Sequence, residues 1–238
     1  MDPERLADSN HSPRTGSSQR RPDPSQRRAG TVRSNEDGGQ EKMISLIVLA
    51  AGKSTRMKEN KLLLKINDDT LIEHVVKAAK GSSVDEVVVV LGYEAAKIKK
   101  HLARVQCRFA VNENYMKGQS ESVKVGFSAV SSNAEAVLIL PADVALIDRE
   151  SINRVIEEYR RSKSRIVIAS HQQQSGHTIL LDRTLFPQVA NVDEDTHGLK
   201  AIINRHRAEI KYVEAGTENV LIDIDTKEEF NKHFHRTA

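Results

Sequence analysis

The chain has 238 residues, and its 36 lysines and arginines against 33 acidic residues leave a net charge of only +3, with 38% apolar and 4% aromatic residues. So small a surplus is a poor footprint for nucleic acid, and no run approaches the about 20 apolar residues that a membrane-spanning helix needs. A single Cys107 excludes an internal disulfide framework and a cysteine-rich zinc site, so a reducing, cytoplasmic setting is expected.

Composition changes at Met43. Residues 1–42 hold four of the six prolines, four of the twelve glycines and five apolar residues, too few for a core. They are expected to be a disordered extension, an appended segment or a misassigned start. No apolar stretch follows their first charges and their acids are scattered, so neither a secretory signal nor a transit peptide is expected. From Met43 the order is a buried strand at Ile44–Ala50, a helix carrying Leu71, Ile72, Val75, Val76 and Ala79, and a strand at Glu86–Leu91. A helix near Ala95–Ala103, a strand at Cys107–Val111, a helix at Ser120–Val130, a strand at Ala136–Leu140 and a helix at Arg149–Arg161 follow. The remainder reads as strands at Arg165–Ala169, His177–Leu181, Ile210–Val213 and Val220–Ile224, a helix at Lys200–Arg205 and a last one from Lys227. Strands alternating with crossover helices predict one α/β domain over 43–238, a three-layer, doubly wound, mostly parallel sheet. Its ligands belong at the carboxyl ends of the strands.

The first strand runs into Ala50-Ala51-Gly52-Lys53-Ser54-Thr55-Arg56-Met57, with Lys61 four residues further on. Small residues let backbone N–H groups approach an anion, and hydroxyls and cations complete a cradle for phosphates. The GKST fragment is not a P-loop, because the glycine required five positions earlier is Ile47, and no GxGxxG is present. Such a segment is also what an ordinary glycine-containing turn with solvated basic residues looks like. Asp143 follows an apolar strand, a place that suits a Mg2+ ligand better than a mere turn cap. Asp225 is either a ligand or the N-cap of the last helix, or both. His177 starts a strand and is more simply a packing residue than a catalytic one. Lys97, Lys99, Lys100, His101 and Arg104 form the wet face of a helix, and Cys107 is a core residue rather than a nucleophile.

Leu49-Ala50-Ala51-Gly52-Lys53-Ser54-Thr55-Arg56-Met57-Lys58-Glu59-Asn60-Lys61-Leu62-Leu63 closely resembles the LAAGxSxRMGxxKLL opening of the MobA-like nucleotidyltransferases, and most closely the molybdenum cofactor cytidylyltransferases. Lys58 stands where that family has glycine. Asn112-Glu113-Asn114 with Gly118-Gln119-Ser120-Glu121-Ser122 resembles the segment that lines base and ribose, and Pro141-Ala142-Asp143 the one that brings the metal-binding aspartate. Gly176-His177 is similar to the acceptor-side GHP, with Thr178 for proline, and Ile222-Asp223-Ile224-Asp225-Thr226 to the closing motif, with Lys227 for proline. The resemblance covers 43–238 and implies a Mg2+-dependent transfer of a nucleotidyl group from a triphosphate to a phosphorylated acceptor. It implies Asp143 and Asp225 as metal ligands and Arg56 and Lys61 as phosphate-binding catalytic cations. Residues 49–56, Asn112, Gly118, Ser120 and Ser122 would form the nucleotide site. Ala51 places the chain with the CTP-using branch. The implied acceptor is molybdopterin carrying molybdenum, and the implied partner a molybdenum hydroxylase that receives the dinucleotide product. A sugar or polyol phosphate acceptor, GTP as donor, or a nucleotide-binding partner protein without turnover are the alternatives.

Overall fold

The computed structural model of the chain describes residues 42–57, 59–195 and 198–234. The expectations for 1–41, and for Lys58, lie outside them.

The strand β1 (Met43–Ala50) is buried on both faces. Leu46 and Val48 pack into one core with the helices α1 (Leu71–Gly81), α2 (Ala95–His101), α4 (Arg149–Ser162) and α7 (Lys227–Phe234). Ile47 and Leu49 point the other way, into a second core with α3 (Gln119–Ala129), α5 (Phe186–Val189) and α6 (Leu199–Arg205). A strand covered by helices on both sides has no polar face to alternate, which is why it reads as a continuous apolar run. A capping box starts α1: the Glu73 amide donates to Thr70 Oγ1 at 3.4 Å and the Thr70 amide to Glu73 Oε2 at 2.7 Å.

A short hairpin, β2 (Lys65–Ile66) and β3 (Asp69–Thr70), precedes α1. The other strands are β4 (Glu86–Leu91), β5 (Arg108–Val111), β6 (Ala134–Pro141), β7 (Ile166–His171), β8 (Gln174–Asp182) and β9 (Ile210–Glu214). With β1 they form one seven-stranded sheet in the order β5-β4-β1-β6-β8-β7-β9. Pairing is parallel except on the two sides of β8. The chain steps outward from β1 through β4 to β5, then returns to β1's other side as β6. That reversal opens a crevice at the carboxyl ends of β1 and β6.

One expectation changes, and two expected strands form with an antiparallel pairing of their own. Residues 220–224 are not a strand: a 3-10 turn covers Glu218–Leu221 and the segment lies across β7 and β8 instead of joining the sheet. Its close approach is possible because Gly176 has no side chain, a Cβ there falling 2.8 Å from the Val220 carbonyl. The strands expected at 165–169 and 177–181 are a tight hairpin turning at Gln172 and Gln173, both at positive φ (47° and 67°), and β8 therefore runs against its neighbours. Cys107 lies just ahead of β5 and is half-buried; burial pushes its thiol pKa up, away from a nucleophile's range.

Candidate active site

At the crevice lies a cleft of about 340 Å3, walled by the loop after β1, the turn Lys61–Leu63, the start of α3 and the end of β6. Each wall has a local cause. Beyond Ala50 the chain leaves the sheet at Ala51, whose carbonyl accepts from the Tyr93 amide at 3.1 Å. Ser54 then takes a left-handed φ of 53° and its carbonyl accepts from Met57 at 2.9 Å, turning the loop across the crevice. The 3-10 turn Lys61–Leu63 is capped by Asn60, whose Oδ1 accepts from the Leu62 amide at 3.1 Å, and Leu62 is buried beneath it. An anchored turn projects Lys61 inward.

Lys61 Nζ donates to Asp143 Oδ2 and to Asp225 Oδ1, each at 2.9 Å, and Arg56 Nη1 reaches Asp225 Oδ2 at 2.7 Å. Three side chains 82 and more residues apart in sequence thus meet at one point. Asp143 follows β6, and its backbone carbonyl accepts from the Ala145 amide at 2.7 Å and the Ile224 amide at 2.9 Å. The second of these bonds holds the segment carrying Asp225 against the one carrying Asp143. Asp225 itself does not cap α7. Thr226 does so, with its Oγ1 accepting from the Glu229 amide at 3.1 Å and Glu229 Oε2 accepting from the amides of Thr226 and Asp225 at 2.9 and 2.8 Å. The Asp225 carboxylate is left to face the cleft, so the capping reading of this residue falls.

Side-chain exposure is 11% for Lys61, 28% for Asp143, 21% for Asp225 and 68% for Arg56, so the inner three are sheltered and Arg56 is an exposed outer cation. Burial works to lower the Lys61 pKa, but Asp143 and Asp225 outweigh it and the net shift is upward. Burial likewise works to raise the Asp225 pKa, but the hydrogen bonds and charges of Lys61 and Arg56 bring it below the ordinary aspartate value. Lys61 is held as an ammonium and Asp225 as a carboxylate at neutral pH. The two carboxylates supply hard oxygen ligands converging on one cationic point, the donor set that suits Mg2+ or Mn2+. Among the described residues no group of three or more histidine, cysteine or acidic side chains forms a metal cage.

The residues expected from sequence divide into two groups. Leu49, Ala50, Ala51, Gly52, Ser54, Thr55, Arg56, Lys61, Gly118, Ser122, Asp143 and Asp225 line the cleft. Lys53 turns aside, its Nζ 5.8 Å from the centre of the Tyr93 ring. Asn112 is buried behind the wall, donating from Nδ2 to Ser122 Oγ at 3.0 Å and accepting the Asn114 amide on Oδ1 at 2.9 Å. It orders the wall without forming it. Ser120 is also buried, and its amide donates to Glu194 Oε1 at 2.6 Å. Gly176 and His177 lie outside the cleft lining, with His177 Nε2 3.1 Å from the Leu221 carbonyl oxygen. One lining residue lies outside every motif read from the sequence: Tyr115. Tyr115 packs onto Gly92, where a Cβ would fall 2.7 Å from the Tyr115 Cβ, and against the ring of Tyr93 at 6.5 Å. The glycine at the end of β4 was the only signal for this contact, and nothing in the sequence pairs Gly92 with a residue 23 positions later.

Residues 46–210 match the MobA-like NTP transferase domain family. The chain is 28% identical over 134 residues to the bifunctional protein GlmU of Desulfotalea psychrophila, a match covering 56% of this chain and 39% of that protein. It therefore spans well under half the length of that relative, and 27% of the GlmU of Staphylococcus carnosus. Among solved structures, a nucleotidyl transferase from Methanothermobacter superposes with a TM-score of 0.71 at 24% identity, covering 82% of this chain and 99% of that one. A manganese complex of Rv0371c from Mycobacterium tuberculosis superposes at 0.66 and 22% identity, covering 82% and 100%.

Proposed function

This chain belongs to the MobA-like NTP transferase domain family, and from that membership we propose that it transfers CMP from CTP to the phosphate of Mo-molybdopterin, releasing pyrophosphate, in a cytoplasmic setting and with Mg2+. The observation that carries nucleotidyl transfer is the meeting of Lys61, Arg56, Asp143 and Asp225 at the carboxyl ends of β1 and β6, beside a loop of small residues. An oxygen of the acceptor phosphate attacks the α-phosphorus in line, and the bond from that phosphorus to the bridging oxygen breaks as pyrophosphate leaves. The attacking oxygen is already anionic, so no general base is needed. Alignment and charge neutralisation remain for the protein to supply.

Lys61 neutralises the α-phosphate, and Arg56, exposed enough to swing off Asp225, follows the departing pyrophosphate. The loop 51–55 approaches the β and γ phosphates, and Asp143 and Asp225 are the residues that would hold the metal. Bound there, the divalent cation would draw negative charge from the phosphate oxygens. Ser122, Gln119 and Tyr115 line the cleft and are the residues that would meet the base. The preference for CTP rests on Ala51, whose methyl narrows the space for a purine.

The decisive assay is pyrophosphate release with Mg2+, offering CTP, GTP, ATP and UTP against Mo-molybdopterin and a panel of sugar and polyol phosphates. Turnover with CTP and Mo-molybdopterin is expected, with a molybdenum hydroxylase as recipient of the product. Preference for GTP overturns the base, turnover only with a sugar phosphate overturns the acceptor, and CTP binding without turnover overturns the enzyme.

A further inference from the structure

Lys61 Nζ lies 2.9 Å from an oxygen of Asp143 and 2.9 Å from an oxygen of Asp225. Mg2+ sits about 2.1 Å from its ligand oxygens. A cation bridging the same two oxygens from the side that Lys61 occupies would overlap the ammonium, and two like charges so close cannot both stay in a sheltered site. Arg56 is different: it holds the outer oxygen of Asp225 and is mostly in solvent, so it leaves at little cost. Lys61 is anchored in a capped turn, is 11% exposed, and needs another anion to go to. In the function proposed above, the anion that enters the cleft is the triphosphate.

We infer that Lys61 and the divalent cation compete for one seat between Asp143 and Asp225, and that the phosphates of the nucleotide, by drawing Lys61 away, are what admit the metal. The inference rests on the reading of Asp143 and Asp225 as the metal's ligands and adds an order of binding to it: metal enters with the triphosphate or after it. Together with Arg56, the ammonium also keeps the two carboxylates neutralised until then, so that a stray divalent ion does not occupy the site without substrate.

The test uses Mn2+ alone, followed by water-proton relaxation, on wild-type protein, Lys61→Met and Lys61→Arg, with thermal melts as the check on folding. Wild type and Lys61→Arg are expected to bind Mn2+ weakly. Lys61→Met is expected to bind on the order of tenfold tighter or more, since a full positive charge has left the seat, and Asp225→Asn in that background is expected to abolish the gain. A folded Lys61→Met no tighter than wild type overturns the competition while leaving the carboxylates as ligands. Should Lys61→Met not fold, wild type decides: Asp143-dependent Mn2+ binding as tight without nucleotide as with a non-hydrolysable CTP analogue overturns the inference. If Mn2+ does not bind even with the analogue, the reading of the two aspartates as ligands fails first.

Discussion

At the scale of single residues, the site is a charge balance in which each group has one task. Removing one preorganised donor from such a site raises the barrier by about 3 to 4 kcal/mol. Lys61→Ala and Asp143→Ala are therefore expected to lower turnover on the order of a hundredfold or more, with a cooperative melt retained, and near-normal steady-state rates in either variant would remove the mechanism. Tyr115→Ala is expected to act on the nucleotide instead, raising KM for CTP several-fold with a smaller change in kcat, because losing one aromatic wall costs on the order of 1 to 3 kcal/mol of binding. At this scale the sequence was generous where the site is carried by a local run: residues 49–61 hold a small-residue loop, Arg56 and Lys61 in order. It was ambiguous at Asp225, because an aspartate before a helix serves equally as cap or ligand, and only the bonds of Thr226 and Glu229 separate the two. Tyr115 was hidden because its place in the cleft depends on Gly92, on a different strand end.

Among the elements, the packing of α3 on the sheet offers the sharpest test. A Cβ on Gly126 would fall 2.7 Å from Ile47 Cγ2, 2.9 Å from Ile47 Cδ1 and 3.1 Å from Val90 Cγ2. Ile47 and Val90 are fully buried and cannot step aside. An alanine gains about 1 kcal/mol of helix propensity over glycine, while overpacking a closed core costs about 1 to 3 kcal/mol. Gly126→Ala is thus expected to destabilise by about 1 kcal/mol in urea melts, and, since α3 carries Gln119 and Ser122, to weaken nucleotide binding as well. The helices and the parallel strands were legible because their apolar spacing is set by what covers them. The turn at Gln172–Gln173 was not, since two glutamines at positive φ lack the Asn-Gly signal of a tight hairpin, and with it went the direction of β8. Residues 220–224 carry a strand's composition, but a strand needs an open sheet edge beside it, which composition does not reveal.

For the whole molecule, the same ion pairs that build the site tie stability to pH. Burial opposes ionisation at Asp225, Glu73 and Glu86, yet hydrogen bonds outweigh it: from Lys61 and Arg56 at the first, Thr70 at the second, and Ser131, Ser45 and Arg108 at the third. Each carboxyl has a folded pKa below its unfolded one, so its contribution is present above the unfolded value and is lost as pH falls through the folded value. Lys61 has a folded pKa above its ordinary 10.5, so its contribution is complete below that pH and is lost as pH rises through the folded value. Tm measured against pH should therefore be flat through neutrality and fall at both ends. Asp225→Asn should flatten part of both falls, and an unchanged profile in that variant would contradict the coupling.

The bond from the Ile224 amide to the Asp143 carbonyl also sets a timetable. During synthesis every strand of the sheet has emerged from the ribosome once Glu214 is out, and Lys61 and Asp143 can already be in place. The second carboxylate arrives only when residues 218–221 settle on β7 and β8 and Ile224 bonds to Asp143. A nascent chain can thus complete its sheet while the cleft still lacks the carboxylate that pairs with both Lys61 and Arg56.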